Sequence, residues 1–138
     1  AWTLDTTGWQ VELGNVATPF EHRSYGEELA LCMRYYFEDS PVGRQSYFST
    51  GHIWSTTLLQ VGFWFPVQMR AHPTLSYSGI SALSQNTAVS ASSVSLDSGY
   101  EGYNAKINVN MSSSSFTSGY AGVLLLSSGS YMKFDAEL

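Results

Sequence analysis

The side chains best suited to contacting a ligand in this chain are aromatic. Tyr47, His52 and Trp54 fall in one polar stretch, Gly43 to Thr57. Tyr100 and Tyr103 flank Gly102 in a second, beside Asp97, Glu101 and Asn104. Tyr and Trp combine an apolar ring with a polar handle, so they suit ligands that are themselves two-sided. A sugar is such a ligand: its C–H faces pack on rings and its hydroxyls bond short polar side chains. Tyr47, His52, Trp54, Asp97, Tyr100, Glu101, Tyr103 and Asn104 therefore form the candidate receptor- or glycan-binding set. Packing of the same rings in a core is the competing account, and interfaces between chains favour the same residues.

Catalysis has weaker support. Glu27-Glu28, Glu38-Asp39 and Asp97…Glu101 are the acidic pairs. A glycosidase needs two carboxylates facing each other across a cleft, which adjacency in sequence does not supply. Glu27 and Glu28 also stand in the first turn of a predicted helix, where the dipole favours anions. There is no Gly-x-Ser-x-Gly elbow, phosphate loop or dinucleotide fingerprint. His22, His52 and His72 are isolated, without metal-ligand spacing. Asp97 and Glu101 offer oxygen ligands for calcium, but a polar loop explains them as well. The expectation is a non-enzyme with no cofactor and no metal.

Composition narrows the partners. With 138 residues the chain fits one domain, yet only 12% of it is charged, against roughly 25% in ordinary domains. Low charge with 14% aromatics points to a surface that meets another chain or a sugar. The net charge is −5 and the six Lys and Arg are scattered, which excludes a phosphate-neutralising patch for nucleic acid. No apolar run approaches about 18 residues, so no membrane-spanning helix is expected. The absence of Met at position 1 and of a signal peptide reads as a fragment. Cys32 has no partner for an internal disulfide, which suits folding in a cytosol.

The elements that must hold these side chains are mostly strands. Trp9, Val11 and Leu13 alternate with Gln10 and Glu12, and Pro19 keeps the next segment extended. Ser24-Tyr25-Gly26-Glu27 has capping-box spacing, and Leu29, Cys32, Met33 and Tyr36 then recur as one face of a short helix. On that face Cys32 is expected to be a buried, inert thiol. Leu59, Val61, Phe63 and Phe65 alternate with Gln60, Gly62 and Trp64, which sends Trp64 away from the apolar face and toward a subunit interface. Ala105 to Met111 and Met132 to Leu138 alternate likewise. Ala121 to Leu126 is apolar on both faces, so it is a central strand or a subunit contact. Ser78-Gly79, Ser98-Gly99 and Ser128-Gly129 read as turns, and Ser112 to Ser115 as an ordered loop. Short strands at this spacing predict an all-β fold, a β-sandwich or jelly roll with one short N-terminal helix.

Three segments carry a resemblance. Val16-Ala17-Thr18-Pro19-Phe20-Glu21-His22-Arg23 runs into Tyr25-Gly26-Glu27-Glu28-Leu29-Ala30-Leu31-Cys32-Met33-Arg34-Tyr35-Tyr36. Phe65-Pro66-Val67-Gln68-Met69-Arg70-Ala71-His72-Pro73-Thr74 follows, and Phe134-Asp135-Ala136-Glu137-Leu138 closes the chain. This order resembles the C-terminal receptor-binding region of bacteriophage tail-fibre and tail-spike proteins, which follows a carbohydrate-binding jelly-roll module. The resemblance implies that residues 1–23 are the end of that upstream module plus a linker, and that 24–138 form the head. It implies a homotrimer at the virion tip, folded in the bacterial cytoplasm and binding a host cell-surface glycan or protein receptor. The motif residues look structural, with Arg34 and Arg70 pinning turns and Pro66 and Pro73 setting loop exits. Specificity is then expected in the unmatched stretches, residues 43–56 and 78–104. The alternatives are a non-catalytic trimerising end domain of a polysaccharide depolymerase, or a lectin-like module of a secreted glycanase.

Overall fold

Period-two alternation of apolar and polar residues dominates the chain, and the chain is correspondingly built of strands. The computed structural model describes residues 11, 13–16, 18, 19, 22–97 and 102–137. Among these residues one helix, α1 (Tyr25–Met33), precedes seven strands: β1 (Tyr36–Asp39), β2 (Ser46–Ser55), β3 (Leu58–Trp64), β4 (Thr74–Ser84), β5 (Thr87–Leu96), β6 (Asn104–Met111) and β7 (Ala121–Asp135). Every pairing is antiparallel. Neighbours run β1-β7-β2-β3-β6-β5-β4, and β4 then pairs back onto β7.

That last pairing corrects the sandwich expectation. Six strands, β2 to β7, close into a barrel, and β1 lies outside the ring against the far half of β7. Closure satisfies both edges of each barrel strand, which a two-sheet sandwich does not. β7 makes it possible by changing partners along its fifteen residues. Ala121 to Leu126 pair with β2, and Met132 to Asp135 pair with β1, while β4 lies along the other edge throughout.

The switch point is Ser127 to Ser130. Ser128-Gly129 and Ser78-Gly79 read as turns in the sequence, but both are irregularities within continuous strands. Gly79 and Gly129 take positive φ, and the β4–β7 register shifts between Ser78 and Ile80. The segment after β1 seals the kink, with Gly129 N–H donating to Pro41 O (3.1 Å) and Gly43 N–H to Ser128 Oγ (3.0 Å). Where the β4–β5 ladder stops at Ser81, Tyr77 spans the gap: its hydroxyl accepts from the Val94 amide at 3.0 Å.

The inward phases are those the alternation marks. Leu59, Val61 and Phe65, Ala105 to Met111, and Met132 and Phe134 supply the core with Ile53, Leu124 and Leu126. One end of the barrel is filled by rings. Phe63 stacks on Phe134 (5.5 Å, 6°) and Phe48 (4.6 Å), and Phe65 meets Phe63 and Phe134 edge-on at 5.1 Å each. The other end is plugged by buried Phe116, from an ordered Ser112–Ser115 loop in which Ser112 N–H bonds Ser90 O. Leu125 points outward between Tyr47 and Ser81 yet is only 2% exposed. Its apolar character thus reflects burial within the subunit.

The helix is the second departure. Ser24 and Glu27 form the full capping box, but no residue of α1 is buried, Tyr36 belongs to β1, and Cys32 is exposed. The helix lies against β1 beside the closed core, and its Leu29 and Leu31 stay 39% and 37% exposed. The Trp9–Leu13 strand falls mostly outside the described residues.

Candidate functional site

β2 is a strand where the polar stretch around Trp54 reads as a loop, and this decides how its aromatics are displayed. Ile53 pairs with Leu59 and enters the core, so His52 and Trp54 face out. Their rings meet edge-on at 5.9 Å. The β6–β7 loop folds over the same spot: Ile53 N–H donates to Tyr120 O and Gly119 N–H to Ile53 O, both at 2.8 Å. Ser118 Oγ donates to Trp54 O at 2.8 Å. His52, Ile53, Trp54, Ser118 and Gly119 together line a shallow cavity of about 330 Å³. Trp54 is nevertheless 63% exposed and Tyr120 stands open nearby.

A second aromatic group lies at the opposite end of the same outer face. Trp64, 72% exposed, pairs with Asn104, and Tyr103 O accepts from Phe65 N–H at 2.8 Å. Six residues of extended strand separate Leu58, beside Trp54, from Trp64, which is roughly 20 Å at about 3.3 Å per residue. Between the ends the face is polar. Gln60 Nε2 donates to Asn108 Oδ1 at 3.0 Å, Gly62 pairs with Lys106, and the Lys106 ammonium sits 2.5 Å from Asp97.

The eight expected residues are therefore divided. His52 and Trp54 come together at one end, and Tyr103 and Asn104 gather with Trp64 at the other. Tyr47 is exposed on β2 beside Leu125, and Asp97 serves an ion pair. Tyr100 and Glu101 lie outside the described residues. Gln60, Asn108, Ser118 and Tyr120 were missed, and Trp64 was expected at a subunit interface and not in this set. The outward phase of Gln60 and Asn108 was legible from alternation, but nothing local marks Ser118 or Tyr120 as neighbours of Trp54.

Glu27, Glu28 and Glu38 have local partners. Glu27 closes the helix cap, and the Ser24 backbone amide holds its acid below the usual range. Glu28 pairs with Arg23 at 3.2 Å. Glu38 accepts from the Tyr36 phenol and lies 3.6 Å from Lys133. That phenol hydrogen bond comes first in lowering the Glu38 acid, and it pushes Tyr36 up to about 12. Among the described residues no three His, Cys, Asp or Glu side chains form a metal-binding group. A larger cavity, about 530 Å³, opens between α1 and Val67, lined by His22, Arg23, Glu27, Ala30, Leu31 and Arg34. None of the six described candidates lines it.

No protein-family profile matches the chain, and no curated protein or solved structure does. Function therefore rests on the two aromatic ends and the neutral face between them.

Proposed function

We propose that this chain is the receptor-binding head of a bacteriophage tail fibre or tail spike, holding a host cell-surface glycan without cleaving it. The observation that carries the reading is Trp54 and Trp64, both well exposed, bracketing an outer face of amides and a neutralised Lys106–Asp97 pair. A tryptophan left in water forgoes a large burial gain, so its exposure makes sense where a partner covers it. The rings take the C–H faces of sugars, and Gln60, Asn104 and Asn108 take their hydroxyls.

On this reading the head sits at the virion tip as a homotrimer, a form supported by the low charge and by a nine-residue helix that buries none of its residues. Helices that short rely on tertiary packing for most of their stability. Host specificity lies on the strand face, with the flanking loops adding to it. The amide-rich face, with Lys106 paired to Asp97, favours a glycan over a protein receptor.

The test is attachment of Trp54→Ala and Trp64→Ala heads to host cells, with thermal unfolding of the same proteins. Removing such an anchor often costs ~2 kcal/mol or more, about thirtyfold for one site. Avidity across subunits multiplies the loss. The expected result is weakened attachment at unchanged melting temperature. Normal attachment by both variants overturns the assignment, as does release of reducing ends from host polysaccharide by the wild-type head.

A further inference from the structure

Gly62 has no steric need to be glycine inside its own subunit, where its carbonyl accepts from Ser49 Oγ. Glycine weakens a strand interior because it packs nothing and loses the most backbone freedom on folding. Two other strand glycines have internal explanations. A Cβ on Gly51 would fall 1.9 Å from Gln60 O, and one on Gly122 would lie 2.7 Å from Leu59 Cδ1 and 2.8 Å from Ile53 Cδ1. Gly62 differs: its φ is not positive, and a Cβ there meets nothing within 4 Å. It sits mid-strand in the outward phase of β3, exposed. Close approach of a ligand or of another backbone is one of the settings that place a glycine within a strand, beside bulges and barrel bends.

The surroundings say what approaches. Gln60 and Trp64 flank Gly62 on the same face, two residues away on either side, since alternate residues share a face. Lys106 lies directly across on β6, its charge met by Asp97 at 2.5 Å. Asn104 and Asn108 continue the outward row of β6. The result is a bare saddle with a large ring at one end and a bonded amide pair at the other, running on to His52 and Trp54. Among the described residues of this strip, the charged side chains of Lys106 and Asp97 pair with each other. Such a strip offers hydrogen bonds without a field, which matches an uncharged, hydroxyl-rich ligand.

We infer that the Gly62 saddle is a groove for an extended, uncharged polysaccharide lying along β3, its sugar units stacking on Trp64 and bonding Gln60 and Asn108. This rests on the glycan reading above and adds that the head grips the interior of a chain, so a single terminal sugar does not suffice.

Gly62→Val is the decisive variant, because valine favours strands and has room there. Wild type and variant are run through gels containing dextran, laminarin or galactomannan. Size-graded oligosaccharides of the retained polymer are then titrated by calorimetry. The expected result is at least tenfold weaker binding by Gly62→Val, at an equal or higher melting temperature and unchanged mass by light scattering. Affinity of the wild type should rise with oligosaccharide length, and Trp54→Ala should matter only for the longer ones.

Wild-type affinity in Gly62→Val overturns the inference, as does affinity that saturates at a disaccharide. A change of mass in Gly62→Val assigns the saddle to a subunit contact and overturns it too. Retention by none of the three polymers, with Trp54-dependent cell attachment intact, overturns the groove and leaves the receptor reading standing. Loss of both sinks the two together.

Discussion

Tyr36 shows how an exposed side chain is tuned chiefly by one neighbour, Glu38. Its phenol donates to Glu38, whose own position is held by Lys133 at 3.6 Å, and Lys133 in turn lies 4.5 Å from the centre of the Tyr131 ring. The hydrogen bond to a carboxylate favours the protonated phenol, so its acid constant moves up to about 12. A raised folded value means that the folded state holds this proton more tightly than the unfolded chain does. The contribution is complete below the ordinary tyrosine range near 10 and is lost as pH rises through about 12. Glu38 has the opposite sign: its value is lowered, so its part is present above the ordinary carboxylate range and lost as pH falls through the lowered value. A spectrophotometric titration of the folded head should therefore show a late-ionising tyrosine that disappears in Tyr36→Phe. Persistence of the late phase in that variant would sink the assignment.

At the scale of elements, β7 organises the molecule. Over Ala121 to Leu126 its inward Leu124 and Leu126 fill the core and Leu125 on the other face is covered too, and its kink at Ser127 to Ser130 lets one strand serve two partners in succession. Leu124 is fully buried in the core next to Ile53, Leu59 and Ala82. Leu124→Ala should cost ~2–5 kcal/mol, the lost transfer energy plus the cavity left behind. A urea titration reads this as a lower midpoint with little change of slope. An unchanged midpoint would mean that β7 does not pass through the barrel core as described. α1 is the opposite kind of element, capped at its start by Ser24 and Glu27 but packed on little.

For the whole molecule the open question of association has a direct physical reading. Exposed Tyr25, Leu29, Leu31, Tyr35 and Tyr36 gather on α1 and the chain entering β1, beside the 530 Å³ cavity against Val67. Burying that surface between copies would stabilise both the helix and the assembly. The proposal of a trimer is checked by light scattering with sedimentation at micromolar concentration. Three times the chain mass is expected, dissociating on Leu29→Asp with the barrel still folded. A stable folded monomer in the wild type would remove the trimer from the proposal.

Much of this was legible in the sequence because period-two patterning is a property of the strand itself. Leu59, Val61 and Phe65 could be sent inward and Gln60 and Trp64 outward from their order alone, and Ser24-x-x-Glu27 announced a helix start. The serine loop was equally readable, whereas Ala121 to Leu126 stood open between a central strand and a subunit contact until its pairing with β2 and β4 decided it. Closure was not, because it depends on β4 finding the second edge of β7, a contact between residues some fifty positions apart. Ser128-Gly129 could be a turn or a kink, and the choice fell to Pro41 and Ser78-Gly79, which lie far away in the chain. Cys32 faces solvent because where a helix lands is settled by the shape of the body it meets, and here the barrel is closed without it. The meeting of Trp54 with Ser118, and of Trp64 with Asn104, is likewise a product of register between distant strands, which no local pattern encodes.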